Sequence, residues 1–155
     1  MSTTIPTCAV DLDGTDQSVS GTNWVKISWN RVLWDSVAML DSDNHYFLIP
    51  KDAVYISDIA IKLNSFVNVT SAELAIFKVQ EGADDYWFQI DYKERLTQNS
   101  LMLKGSMSFD FHEGEQYYLA LKLTTVLLTP SCQIEGDDDY TAFGFNHYVD
   151  LSFQG

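Results

Sequence analysis

Apolar and polar residues alternate along most of this chain in short runs, broken by turn-forming residues at intervals of about 8–12. Residues 24–29 place Val25, Ile27 and Trp29 on one face, and residues 45–49 (H-Y-F-L-I) stop at Pro50. Residues 54–63 set Ile59, Ile61 and Leu63 against Asp58, Ala60 and Lys62. Further runs cover 72–79 (A-E-L-A-I-F-K-V), 86–92 (Y-W-F-Q-I-D-Y) and 101–111, the last with a break near Gly105. Residues 116–123 align Tyr117, Leu119, Leu121 and Leu123. Residues 125–129 (T-V-L-L-T) read as a strand up to Pro130, and residues 140–149 carry Phe143, Phe145 and Tyr148. A period of two is the mark of strands with one face buried. Only residues 31–40 (R-V-L-W-D-S-V-A-M-L) offer a helical turn, and no cap prolongs it. No repeat of 20–50 residues is present. The pattern predicts an all-β, antiparallel two-sheet sandwich or closed barrel of about eight to ten strands.

Residues 1–23 are rich in Thr, Ser, Asp and Gly. They read as an extended N-terminal arm ahead of one domain over 24–155. An arm of that composition frays unless a neighbour holds it, so a second subunit is the expected anchor.

Composition narrows the classes. The 155 residues suit one domain that buries about 68–70% of its unfolded surface. Hydrophobic residues make up 46% and aromatics 14%, a globular composition whose flat side chains favour pleated surfaces. The 22 acidic against 9 basic residues give a net charge of −13. No Lys/Arg run is present to neutralise phosphates, so nucleic acid is not an expected partner. An anionic membrane repels such a chain, and no run approaches the ~20 apolar residues of a span, so no membrane partner is expected either. The N-terminal stretch M-S-T-T-I-P-T-C-A-V lacks the basic and apolar regions of a signal peptide. Synthesis in a host cytoplasm without secretion is the expectation. Cys8 and Cys132 are too few for a disulfide framework; buried thiols are expected, and their pairing stays open.

The stretch V-K-I-S-W-N-R-V-L-W-D-S at 25–36, with F-L-I-P-K-D-A-V-Y-I-S at 47–57, resembles the opening of the tumour necrosis factor-like jelly rolls. The globular heads of the first complement component offer the best parallel. Trp29-Asn30 stands at the family's apolar-x-Phe-Asn opening. Phe47 to Pro50 matches a strand ending in Pro, and Tyr55 sits in its Gly-x-Tyr-x-Phe segment, with Ala53 for the Gly and Ser57 for the Phe. E-L-A-I-F-K-V at 73–79, F-H-E-G-E-Q-Y-Y-L-A-L at 111–121 and T-A-F-G-F at 141–145 follow in the family's order. The resemblance implies a jelly roll that forms a homotrimer, with Trp29, Phe47, Tyr55, Tyr117, Phe143 and Phe145 lining the three-fold interface. It also implies a calcium site near the axis. Asp137, Asp138 and Asp139, beside Glu135, form the densest acidic cluster and are the candidate ligands; a solvated loop is the plainer reading.

Other chemistry is thinner. A-V-D-L-D-G-T-D at 9–16 resembles the first motif of haloacid dehalogenase-like phosphatases. That likeness implies Asp11 as nucleophile, Asp13 as general acid and a magnesium ion shared with the later G-D-D-D at 136–139. The motif needs an apolar parallel strand opening into an α/β domain, and here Pro6, Thr7 and Cys8 precede it. As a calcium loop it lacks the Glu at position twelve, where Thr22 stands. His45, His112 and His147 have no zinc-ligand spacing. Asn68-Val69-Thr70 is a glycosylation sequon, idle without secretion. Tyr86 and Trp87, beside Asp84 and Asp85, suit stacking on a sugar, although an inward-turned edge strand explains them as well.

The expected function is a non-enzymatic trimeric assembly protein that decorates and cements a phage capsid, with itself and the major capsid protein as partners, at the virion surface. No cofactor is expected beyond calcium. The alternative is the receptor- or glycan-binding tip of a viral fibre or bacterial appendage; a magnesium-dependent phosphatase is the minor one.

Overall fold

The computed structural model describes residues 8–35, 38–41, 43–95, 97–137 and 141–150, and the described residues form thirteen strands and no helix. They are β1 (Cys8–Asp11), β2 (Gln17–Ser20), β3 (Val25–Lys26), β4 (Arg31–Asp35), β5 (Leu40–Asp41), β6 (Tyr46–Leu48), β7 (Ala53–Val67), β8 (Ser71–Lys78), β9 (Asp85–Glu94), β10 (Leu101–Phe111), β11 (Gln116–Thr124), β12 (Ser131–Ile134) and β13 (Ala142–Asp150). The first sheet runs β2-β12-β7-β13-β1-β4, and β10 takes the other edge of β7. The second runs β5-β6-β11-β8-β9, with β3 also on β11. Every pairing is antiparallel, and the two sheets face each other as a jelly-roll sandwich.

β7 shows how the sequence dictates this. Ala53, Tyr55, Ser57, Ile59, Ile61 and Leu63 point inward and are buried, while Val54, Ile56, Asp58, Ala60 and Lys62 face out. β10 follows β7 from Leu101↔Leu63 to Phe111↔Ala53 without the break expected at Gly105. That glycine has a packing reason instead: a Cβ there would meet Ile90 Cγ2 of the opposite sheet at 2.7 Å.

Several expectations give way. Residues 1–7 of the expected arm lie outside the described residues, and the rest is not an arm: β1 lies inside the first sheet between β13 and β4, and β2 pairs with β12. Cys8, Val10, Leu12 and Val19 belong to the core. Strands of the same chain pair with β1 and β2, and the domain begins no later than Cys8. The helical turn over 31–40 is replaced by β4 and β5; between them the Asp35 carboxylate accepts bonds from the Met39 and Leu40 amides at 2.7 and 2.9 Å. Residues 125–129 are not a strand but a loop, with Val126, Leu127 and Leu128 exposed.

The aromatics assigned to a three-fold axis fill the core of one subunit. Trp29, Phe47, Tyr55, Tyr117 and Phe143 are 0–2% exposed. Trp29 stacks on Phe143, Phe47 meets Phe143 edge-on, and Trp87, Phe111 and Tyr117 interlock at 4.6–5.3 Å. Rings enclosed by their own chain cannot line a three-fold axis, so these five side chains serve the core of one subunit, and only the Phe143 position also reaches an outer surface. The side chain of Phe145 lies outside the described residues.

Candidate functional site

Three surface features compete as sites. The first is a hollow of about 700 Å³ on the outward face of the first sheet, lined by Ala9, Leu33, Ala60, Phe143 and Gly144 and rimmed by Asp58, Lys104 and Ser106. Register builds it: Ala9 pairs with Gly144, Gly144 with Asp58, and Ala142 with Ala60. Small side chains on neighbouring strands therefore leave the sheet's backbone as a floor. That floor is tight, since a Cβ on Gly144 would stand 3.1 Å from the Cys8 carbonyl oxygen. The β4 edge rises beside it with Val32 and Leu33 43% and 44% exposed. Its chemistry is that of an apolar contact surface.

The second feature is an aromatic row on the outward face of the second sheet. Tyr86, Trp24, Phe77, Tyr118 and Tyr46 follow one another at centroid distances of 4.9–5.7 Å. Two of the phenols are occupied: Tyr86 Oη donates to Glu73 Oε2 at 2.6 Å and Tyr118 Oη to Asp84 Oδ2 at 2.9 Å. The Lys26 ammonium sits 4.2 Å from the Tyr46 ring centroid and 5.0 Å from that of Tyr118, close enough for cation–π attraction. Burial, then the Glu73 carboxylate, push the Tyr86 phenol up to about 12. Of the sugar-stacking pair, Tyr86 belongs to this row. Trp87 turns the other way and stacks on Tyr117 at 4.7 Å.

The third is an acidic notch of about 540 Å³ lined by Asp13, Gly14, Asp16, Arg31, Asn64, Glu135 and Asp137. The fold thus joins the two acidic motifs that the sequence separates. It does so through backbone: Gly14 N donates to Gly136 O at 2.9 Å, Gly136 N donates to Asp16 Oδ1 at 2.8 Å, and a Cβ on Gly136 would fall 2.4 Å from the Thr15 backbone. Asp13 and Gly14, both at positive φ, form a tight turn closed by Thr15 N to Leu12 O, so the Asp-Gly pair serves turn geometry. Asp11 is 0% exposed. Its carboxylate accepts Arg31 Nε at 2.9 Å, Arg31 Nη2 at 2.6 Å and the Asp13 amide at 2.9 Å. Burial pushes its pKa up, but the Arg31 hydrogen bonds, the Asp13 amide and the Arg31 charge outweigh burial and hold it below the usual carboxylate value. A nucleophile pinned by both oxygens at the end of an antiparallel strand has none of the context the phosphatase motif requires.

Among the described residues no group of three His, Cys, Asp or Glu is placed to hold a metal ion. Asp137 lines the notch, and its backbone oxygen accepts from Thr141 N at 2.9 Å. Asp138 and Asp139 lie outside the described residues. His45 Nδ1 is bonded to the Trp29 carbonyl at 2.9 Å, His112 faces Asp52, and the His147 side chain is outside the described set. Cys8 and Cys132 are free and buried, with both thiols pushed up to about 12 by burial, aided at Cys8 by Asp35.

No protein-family model and no curated protein sequence matches the chain. Solved structures do. The crystal structure of murine APRIL at pH 8.5 is similar at a TM-score of 0.65 with 9% identity, over 96% of this chain and 100% of that one. The structure of Eiger TNF from S. frugiperda is similar at 0.65 with 12% identity, over 95% and 94%. The globular domain of zebrafish complement 1qA protein is similar at 0.57 with 11% identity, over 94% and 99%. By architecture, from Cys8 through β13, the chain is a tumour necrosis factor-like jelly roll.

Proposed function

We propose that this chain is a non-enzymatic assembly domain that closes into a homotrimer through the outward face of its first sheet, and that the trimer decorates a phage capsid as a cement protein. The apolar hollow carries the first half. A concavity walled by bare Leu33 is a surface that a monomer has no use for in water. In a cyclic trimer each copy offers one patch to the next copy's different patch, and the ring closes with none left over. The likeness to tumour necrosis factor-like folds gives a scaffold suited to that packing. The capsid half is supported by strong acidity, 22 acidic against 9 basic residues, and by apolar surface that assembly would cover. The partner would be the major capsid protein, at the virion surface.

Light scattering tests the assembly. The wild type should give three times 17.6 kDa, and Leu33→Asp should give 17.6 kDa with unchanged circular dichroism. A wild-type monomer at micromolar concentration overturns the trimer. Immunogold labelling of particles from a lysing source culture should mark the capsid surface, and unlabelled particles overturn the virion role. The aromatic row favours the second reading, a glycan- or receptor-binding tip, because Tyr86 is 42% exposed beside the Glu73 carboxylate. A glycan-array signal lost in Tyr86→Ala would support it.

A further inference from the structure

One end of the sandwich is made by loops 20–24, 65–70, 97–100 and 124–131. They are drawn together by Gly21 N to Pro130 O at 2.9 Å, Thr70 N to Thr124 O at 2.8 Å, Arg95 N to Thr70 O at 2.8 Å and Asn68 Nδ2 to Thr129 O at 3.4 Å. None of these four segments contains a charged residue, in a chain with 31 of them. Glu94, which pairs with Ser71, and Arg95 stand at their border, and Arg95 lies 4.8 Å from the Phe66 ring centroid. At the opposite end, the turns 80–85 and 112–115 carry Glu81, Asp84, Asp85, Glu113 and Glu115. From the neutral end projects a ridge: Val126 is 79% exposed, Leu127 88%, Leu128 63%, and Val67 alongside 54%. The bonds at its base hold this loop out from the body.

We infer that this ridge docks the protein, end-on, onto the uncharged surface of a zwitterionic lipid bilayer, the aliphatic side chains entering the boundary between headgroups and acyl chains. The inference goes beyond the assembly role and holds for monomer or trimer. Three observations select lipid over a protein. The side chains of Val126, Leu127 and Leu128 are 63–88% exposed, so they suit a medium that closes around them. The ridge offers roughly a few hundred Å² of apolar surface, against about 800 Å² per partner in a standard protein interface. The ridge residues themselves, Val126, Leu127, Leu128 and Val67, include none of the aromatic and Arg anchors that dominate protein hot spots, where Leu and Val are under-represented. Charge supplies the orientation. A chain of net charge −13 approaches a membrane best by the end whose loop segments carry no carboxylate, and anionic lipid opposes even that approach. Irregular backbone does not enter hydrocarbon, so the amides of 125–128 stay at headgroup level and only the side chains insert, as on an interfacial helix. Net charge and the reading of 125–129 as a strand hide this from the sequence.

The test uses phosphatidylcholine vesicles with the full chain. The wild type should co-sediment with millimolar lipid, unaffected between 0.05 and 0.5 M salt as an apolar contact requires (about 10-fold in ionic strength). Phosphatidylserine should weaken it. The double variant Leu127→Asp, Leu128→Asp should bind at least about a hundred-fold more weakly, the factor for losing two buried leucyl groups. An environment-sensitive dye on Val126→Cys should brighten with vesicles, while the same dye on Ala83→Cys, at the acidic end, should not; Cys8 and Cys132 are buried and leave the label site-specific. No binding to phosphatidylcholine, unchanged binding by the double variant, or equal brightening at both positions overturns the inference. So does a change of oligomeric mass in the double variant, which would make the ridge a contact between copies. Failure here leaves the trimer untouched, since Leu33→Asp and light scattering report on that separately.

Discussion

The outward faces of the two sheets are both apolar for sheets of an acidic protein, yet they are finished in opposite ways. On the second sheet, Phe77 and Tyr118 lie 5.3 Å apart at 7° to one another, flanked by Trp24, Tyr86 and Tyr46. Each phenol with an acidic neighbour is bonded to it, and lysine ammonium groups roof the rings. That face completes itself: tyrosine and lysine present an apolar body to the sheet and a polar end to water. On the first sheet the equivalent surface is Ala9, Ala60 and Gly144 beside Leu33, and aliphatic groups have no polar end to turn outward. The amount of apolar surface on a sheet is thus a poor guide to where another molecule binds. Whether that surface carries its own polar finish is the better one.

The most damaging change should fall on the self-completed face. Phe77→Ala removes a ring touching Trp24, Tyr86 and Tyr118. It should cost about 3–5 kcal/mol by denaturant unfolding, the range for a truncated buried aromatic, while the folded fraction keeps the wild-type oligomeric mass. Leu33→Asp should show the reverse, unchanged monomer folding with lost assembly. If Phe77→Ala dissociated the protein without lowering its stability, the contrast between the faces would be inverted.

Next in size is the pin at the edge of the first sheet. Arg31→Ala leaves the fully buried Asp11 carboxylate with the Asp13 amide as its remaining described bond. Stranding a buried charge costs about 3–5 kcal/mol, reduced here to about 2 because Arg31 is itself 39% exposed and water screens the pair. Since the Asp11 pKa is lowered on folding, its contribution is complete above the unfolded carboxyl value and is lost as pH falls through the folded one. The wild type should therefore lose stability below about pH 4. The loss should be smaller in Arg31→Ala, measured as the slope of unfolding free energy against pH.

How much of this was legible in the sequence follows from what each residue contributes to a pattern. β7 and β11 could be read because Ile59, Ile61 and Leu63, or Leu119, Leu121 and Leu123, repeat every second residue. β1 obeys the same rule through Cys8, Val10 and Leu12, but the polar company of Ser, Thr and Asp disguised it as an arm. The aromatic rings marked a core rather than an axis, because a chain can enclose its own large side chains more readily than it can keep them for a partner. The hollow left no signal at all. Alanine and glycine carry little hydropathy, and their alignment across β1, β13 and β7 depends on register. The Arg31–Asp11 pin joins residues twenty apart that no local rule connects.

A milder change separates the phenols. Tyr118→Phe deletes a half-buried hydroxyl that donates to Asp84 at 2.9 Å, and should cost about 1–2 kcal/mol, as for a hydrogen bond to a charged group. Tyr86→Phe deletes a shorter bond on a more exposed ring and should cost under about 1 kcal/mol, because water replaces what is lost. Equal costs in thermal or urea unfolding would mean that solvent reaches both phenols alike, and the second face would not be sealed.

The gentlest probe alters no residue. Burial holds both thiols at about 12, so at pH 8 native Cys8 and Cys132 should resist alkylation that goes to completion in denaturant. They report on different places: Cys8 lies on β1 directly beneath the hollow, its carbonyl against Gly144, whereas Cys132 sits on β12 at the far side of the sheet. If a neighbouring copy closes the hollow, exchange through local opening of β1 and β4 is suppressed in the assembly and faster once Leu33→Asp releases the subunit. Cys8 labelling should then accelerate in that variant while Cys132 labelling stays constant, read by mass spectrometry of the two peptides. Equal acceleration at both would point to global loosening, and no change at Cys8 would mean that the first face is as complete alone as the second.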